Sequence, residues 1–144
     1  MKLNRDEIMK ILPHRPPMLL VDEAELGENG ESIGKYTVKG DEHFLQGHFP
    51  GNPIVPGVIL CEMMAQSACV MFKDKPAALT LFTGMNNVHF KKPVVPGDTV
   101  VSTCTLVKSK GPFHFCKGEA RVNGEIRASL EFSFALVPPD KVAK

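Results

Sequence analysis

The sequence predicts an α+β domain in which a curved antiparallel sheet wraps one central helix. Between Val58 and Phe72 the only charged residue is Glu62, and Gln66 and Ser67 are the only other strongly polar positions, so the segment is apolar on every side. A helix of that kind is buried. Strand-like segments flank it in the chain, two before and four after, and only a sheet can cover it. The 144 residues, 43% hydrophobic and 23% charged, suffice for one core. No repeat or linker divides them, and a single domain over 1–144 is expected.

Taken in order, Asn4 and Glu7 have the spacing of a capping box, and Ile8, Ile11 and Leu12 give a short apolar stripe that Pro13 ends. This is a leader helix. Met18 to Leu26 and Ser32 to Lys39 read as two strands joined through the turn-rich Gly27-Glu28-Asn29-Gly30. Pro56 suits the first position of the long helix, with Gly57 just after it. Ala78 to Lys92 is a strand bent or bulged at Gly84, followed by strands at Asp98 to Ser109 and Phe113 to Val122. Asn123-Gly124 is a two-residue hairpin signal, and Glu125 to Val137 alternates after it. The last eight residues, VPPDKVAK, are expected to fray.

Charge excludes some functions. With 17 basic against 16 acidic residues the net charge is +1, which supplies no global field for nucleic acid or a membrane surface. No secretory leader opens the chain and its apolar runs stop short of about 18 residues, so a cytoplasmic protein is expected. Cys61, Cys69, Cys104 and Cys116 show no CxxC pair and no metal-finger spacing and are expected as reduced thiols. A hairpin symmetrical about Lys110 would set Cys104 and Cys116 face to face. His43, His89 and His114 have no metal-ligand spacing and are read as strand or rim residues; no metal site is expected.

The acid in the apolar helix calls for a reason. A lone ionised carboxylate in apolar surroundings is costly, and a raised pKa that keeps it protonated relieves the cost and makes it a proton donor. Gln66, four residues on, shares its face and can orient it. The alternative is that Glu62 simply reaches the surface or an ion pair. His48 lies in a loop stiffened by Pro50, Pro53 and Pro56, which gives a general base a fixed backbone. The Gly57 N–H, at the helix start with no side chain over it, suits a carbonyl oxygen gaining negative charge.

Three segments carry a resemblance: LPHRPPMLLVD (Leu12 to Asp22), FLQGHFPGNPIVPGVILCEMMAQ (Phe44 to Gln66) and FKKPVVPGD (Phe90 to Asp98). The chain resembles the (3R)-hydroxyacyl-[acyl-carrier-protein] dehydratases of type II fatty-acid synthesis over essentially its whole length. The resemblance implies the hotdog fold, with the sheets of two subunits joined into one. It also implies a homodimer as catalytic unit, commonly assembled as a trimer of dimers, whose active site takes its histidine and its acid from different subunits. The family's histidine falls on His48 and its acid on Glu62.

Loss of water from a 3-hydroxyacyl thioester needs a base for the C2 proton, an acid for the C3 hydroxyl and a donor for the carbonyl oxygen. His48, Glu62 and the Gly57 N–H take those roles, without cofactor. The acyl group would arrive on the phosphopantetheine arm of acyl carrier protein. Gln66, Met63 and Phe49 are expected to touch substrate, with Met63, Met64, Met71 and Phe72 first of all core. Lys91 and Lys92 form the expected docking pair for the acidic carrier, with Arg121 and Arg127 secondary. His14 is read as a structural or entrance residue and Tyr36 has no assigned role. The rivals are a dehydratase that also isomerises the new double bond, a family that generally has aspartate at the acidic position, then an acyl thioesterase, and last a non-catalytic acyl-binding module.

Overall fold

The computed structural model describes residues 2–75, 78–138 and 140. Seven antiparallel strands form one sheet: β1 (Lys2–Leu3), β2 (Glu23–Leu26), β3 (Ser32–Thr37), β4 (Leu79–Phe90), β5 (Thr99–Lys110), β6 (Phe113–Val122) and β7 (Glu125–Val137). Their order across the sheet is β1-β2-β3-β5-β6-β7-β4. Helix α1 (Arg5–Ile11) opens the chain, and α2 (Gly57–Cys69), continued by a 3-10 turn over Val70–Phe72, lies against the sheet. The expected α+β architecture, one long helix against an antiparallel sheet, is what the chain adopts. The capping box at α1 is closed in both directions, the Glu7 N–H donating to Asn4 Oδ1 and the Asn4 N–H to Glu7 Oε1.

Every residue of α2 from Leu60 to Cys69 except Glu62 is buried, which is the all-round burial that its apolar composition requires. Close approach to β3 depends on Gly34, where an added Cβ would stand 2.7 Å from Ser67 Cβ. Gly118 on β6 is packed almost as tightly, with Met64 Sδ 3.2 Å from the position of its missing Cβ. Pro56 is the N-cap of α2 and Gly57 its first helical residue, one position later than expected.

Two other expectations need correction. Met18 to Val21 do not join the strand of which they are the expected first half, because their N–H groups are claimed elsewhere: those of Met18 and Leu19 by the Arg15 carbonyl, that of Leu20 by Gln66 Oε1. Cys104 and Cys116 are not face to face. The turn falls at Gly111 and Pro112, so Cys104 stands opposite Gly118 and Cys116 opposite Leu106. All four thiols are free and buried. His114 is a strand residue as expected, and it is buried, with Nδ1 2.8 Å from Ser109 Oγ and its ring 4.3 Å from that of Phe72. The bulge at Gly84 and the left-handed Asn123-Gly124 turn, with φ of 52° and 80°, are as the residue types dictate. Most of the reading of the terminal tail lies outside the described residues.

Candidate active site

The loop that carries His48 is tied down at its start. Glu42 accepts the Tyr36 hydroxyl at 2.6 Å and the N–H groups of Lys39 and Gly40. Burial alone would raise the Glu42 pKa, but the donated hydrogen bonds outweigh it and hold the carboxyl below its ordinary value. Burial, then the hydrogen bond to Glu42, push the Tyr36 phenol up. Tyr36, without a role in the sequence, is therefore a strut from the sheet to the loop.

His48 itself is fixed at backbone and ring. Its N–H donates to the Leu45 carbonyl, its carbonyl accepts the Ile54 N–H, and its Nδ1 lies 2.9 Å from the Ile54 oxygen. A carbonyl only accepts, so Nδ1 must bear the hydrogen, and Nε2 is left with the lone pair of a base. Phe49 and Asn52 exchange backbone hydrogen bonds around the turn of the loop, and the half-exposed Phe49 ring stacks on His48 at 4.3 Å. Phe49 thus sets the imidazole plane.

An open cavity of about 470 Å³ is lined by His48, Gly57, Val58, Phe90, Lys91 and Lys92, among others. The Gly57 N–H, in the first turn of α2, has no acceptor among the described residues. Its Cα carries the Phe90 ring so closely that a Cβ would meet it at 2.8 Å. A base, an unclaimed N–H donor and an apolar wall therefore share one cavity.

Glu62 faces elsewhere. Five residues beyond Gly57 at 100° each, it points about 140° round the helix from it. It lines a separate recess with His14, Gln66, Cys69, Thr80 and Phe82, among others. Its Oε2 accepts from Gln66 Nε2 at 2.8 Å and lies 3.5 Å from His14 Nε2. The carboxyl is thus not alone among apolar groups.

Gln66, expected to touch substrate, is almost wholly buried, with Oε1 accepting the Leu20 N–H and Nε2 donating to Met18 O and Glu62. Its bonding capacity goes to the Met18 and Leu20 backbone and to Glu62. Met63 is 1% exposed and belongs to the core within this chain rather than to a substrate wall.

Of the expected docking residues, Lys92 is paired with Glu125 at 2.7 Å, Arg121 with Glu119 at 2.9 Å, and Arg127 with Asp98 and Glu125. Lys91 is exposed, and its ammonium has no partner among the described residues. His14, Phe82 and Phe90 escaped the sequence reading as site residues. His14 stood inside a family-like segment, but only the tertiary fold shows what it faces. Among the described residues no three His, Cys, Asp or Glu converge as metal ligands, and no helix is long and apolar enough to cross a membrane.

The fold and the paired recesses define a class, and comparison with known proteins agrees with it. Residues 24–127 match the ApeI-like family, described as ApeI dehydratase. Among solved structures, the dehydratase heterocomplex ApeI:P from Xenorhabdus doucetiae superposes with a TM-score of 0.81 at 20% identity over 94% of this chain and 93% of that one. The E. coli PaaI protein superposes at 0.60, with 16% identity over 78% of this chain and 80% of that one. This is a hotdog fold. More closely related in sequence are the 3-hydroxyacyl-[acyl-carrier-protein] dehydratases FabZ of Alkaliphilus metalliredigens, 41% identical over 97% of this chain and 98% of that protein, and of Clostridium beijerinckii, 44% identical over 93% and 99%. The chain belongs to the FabZ family of 3-hydroxyacyl-[acyl-carrier-protein] dehydratases.

Proposed function

We propose that this chain removes water from a (3R)-3-hydroxyacyl group carried on acyl carrier protein, giving the trans-2-enoyl thioester, at a site completed by a second copy of the chain. The observation that carries the reading is the division of the chemistry: His48 and Gly57 line one cavity, Glu62 another, and each cavity holds half of what an elimination needs.

Strand β4 supports the way the halves meet. It is the edge of the sheet, 12 residues long, with Leu81, Phe82, Met85 and Phe90 all more than 40% exposed. Soluble proteins do not leave a long apolar edge unpaired. The Glu62 recess contains Thr80 and Phe82 from one end of β4, and the His48 cavity contains Phe90 from the other. Two-fold antiparallel pairing of β4 with its copy near Met85 sets the Phe90 end of one chain beside the Thr80 end of its partner. His48 of one subunit then faces Glu62 of the other.

In that shared site His48 Nε2 takes the C2 proton. The electron pair released from the C2–H bond becomes the C2=C3 double bond as the C3–O bond breaks. The hydroxyl leaves with the proton of the Glu62 carboxyl, as water. Charge that builds on the thioester oxygen meanwhile is received by the Gly57 N–H at the positive end of α2. The balance closes without oxidant, metal or redox group. The dimer is the catalytic unit, three dimers are the full assembly implied by the family resemblance, and the carrier-bound substrate places the enzyme in the cytoplasm.

The test is incubation with a 3-hydroxyacyl thioester. Dehydration gives enoyl absorbance with no free thiol. Free thiol would mean hydrolysis, and an unchanged thioester would mean binding without turnover; either would refute the reading.

A further inference from the structure

We infer that His14 is a positioning residue for the reaction, holding Glu62 so that its Oε1, not its Oε2, carries the proton to the leaving hydroxyl; this rests on the acid role given to Glu62 above. His14 enters the recess from the loop after α1. It sits between Pro13 and Arg15, and the Arg15 guanidinium braces the loop by donating to the carbonyls of His14 and Leu12 at 2.7 and 3.0 Å. Its Nε2 lies 3.5 Å from Glu62 Oε2, and its Nδ1 is buried with no partner among the described residues.

Those two facts assign the tautomer. An orphaned buried N–H is rarer and costlier than an under-used acceptor. Nδ1 therefore keeps a bare lone pair, and the single ring hydrogen sits on Nε2, toward Glu62.

Oε2 accepts the Gln66 amide at 2.8 Å and has the His14 Nε2 3.5 Å away, at the outer limit of a hydrogen bond. A carboxyl with both donors on one oxygen keeps its own proton on the other. When Oε1 gives that proton up, the charge left behind is spread onto Oε2, beside the Gln66 N–H and the His14 Nε2. Ala65, Cys69, Phe82 and Phe134 surround the recess, and in such apolar surroundings a donated hydrogen bond is stronger than in water.

The test compares two amides. In His14→Gln the side-chain NH2 extends about as far as Nε2, whereas in His14→Asn it ends near the position of Nδ1 and cannot reach Oε2. Both variants stay polar, and unchanged circular dichroism and thermal midpoint establish the fold. His14→Asn should lower kcat about tenfold with KM unchanged, the scale of one hydrogen bond to a charged group. His14→Gln should recover most of that loss. In a Glu62→Gln background, His14→Asn should cost nothing more, because the group it positions is gone. A folded His14→Asn with full kcat, a His14→Gln as slow as His14→Asn, or a repeated tenfold loss in the Glu62→Gln background would each overturn the positioning role. A Glu62→Gln enzyme at full kcat would instead remove the acid role on which it rests.

Discussion

Phe90 lies across the backbone of Gly57, with ring carbons 2.8 and 2.9 Å from where a Cβ would stand. The first residue of α2 must therefore be glycine if the apolar wall and the free N–H are to share one cavity. Gly57→Ala should fold, since alanine is the better helix former. It should nevertheless turn over roughly tenfold more slowly, because Phe90 is pushed into the space where the carbonyl oxygen meets the N–H. Phe90→Ala in the same chain should relieve the crowding. Steady-state rates of the three variants check it; wild-type kcat in Gly57→Ala would show that Phe90 yields freely.

Removing either proposed proton-transfer group should be severe. His48→Ala and Glu62→Gln are each expected to cut hydration of a crotonyl thioester by roughly 10²-fold or more, with fold and assembly unchanged. Glu62→Asp shortens the reach by one methylene, draws the carboxyl back from the Gln66 amide and should be slow but folded. Activity near wild type in a folded variant would take that residue out of the mechanism.

The docking prediction falls chiefly on Lys91. Lys92 is held by Glu125, while the Lys91 ammonium has no partner among the described residues, and Lys91 lines the His48 cavity. Lys91→Glu should raise KM for the carrier-bound substrate several-fold, most clearly at low salt, and change turnover of a coenzyme A thioester far less. Equal loss with both substrates would mean that the lysine serves the cavity itself.

Stability should fall at both ends of the pH scale. Burial pushes the thiols of Cys69 and Cys116 up to about 12, and Cys104 upward as well. The folded chain therefore holds protons that the unfolded chain releases. Stability from this source is complete below the ordinary thiol value of 9.0 and declines as pH rises above it. His114 is shifted the other way, its pKa lowered first by burial and then by the charge of Lys75. Its contribution is present above the ordinary value of 6.5 and lost as pH falls through the lowered one. Urea midpoints across pH should show both slopes. Replacing His114 with Phe should flatten the acid one, and an unchanged acid slope would assign it to other groups.

Much of this was legible in the sequence because the physics was local. An apolar segment from Val58 to Phe72 can only be a buried helix, and Asn123-Gly124 can only be a tight turn between alternating strands. The loop prolines marked His48 as fixed, and the helix periodicity put Gln66 beside Glu62. What the sequence hid was set across the fold. Leu19 to Val21 look like strand because they are apolar, yet the Leu20 N–H goes to a glutamine side chain on α2. The symmetry of Cys104 and Cys116 about Lys110 failed by two residues of turn. Tyr36 and His14 carry no local signal for the groups they meet, Glu42 and Glu62. The helix also turns Glu62 away from Gly57 and His48, into a recess of its own.

Subunit complementation tests that last relation most directly. Inactive His48→Ala and inactive Glu62→Gln chains are mixed in equal amounts, exchanged, and assayed for hydration of crotonyl thioester. Half of the dimers are mixed at random exchange, and each has one of its two sites intact, so activity should return to roughly a quarter of wild type. No recovery after subunit exchange has been verified by mass would contradict a site shared between His48 of one chain and Glu62 of the other.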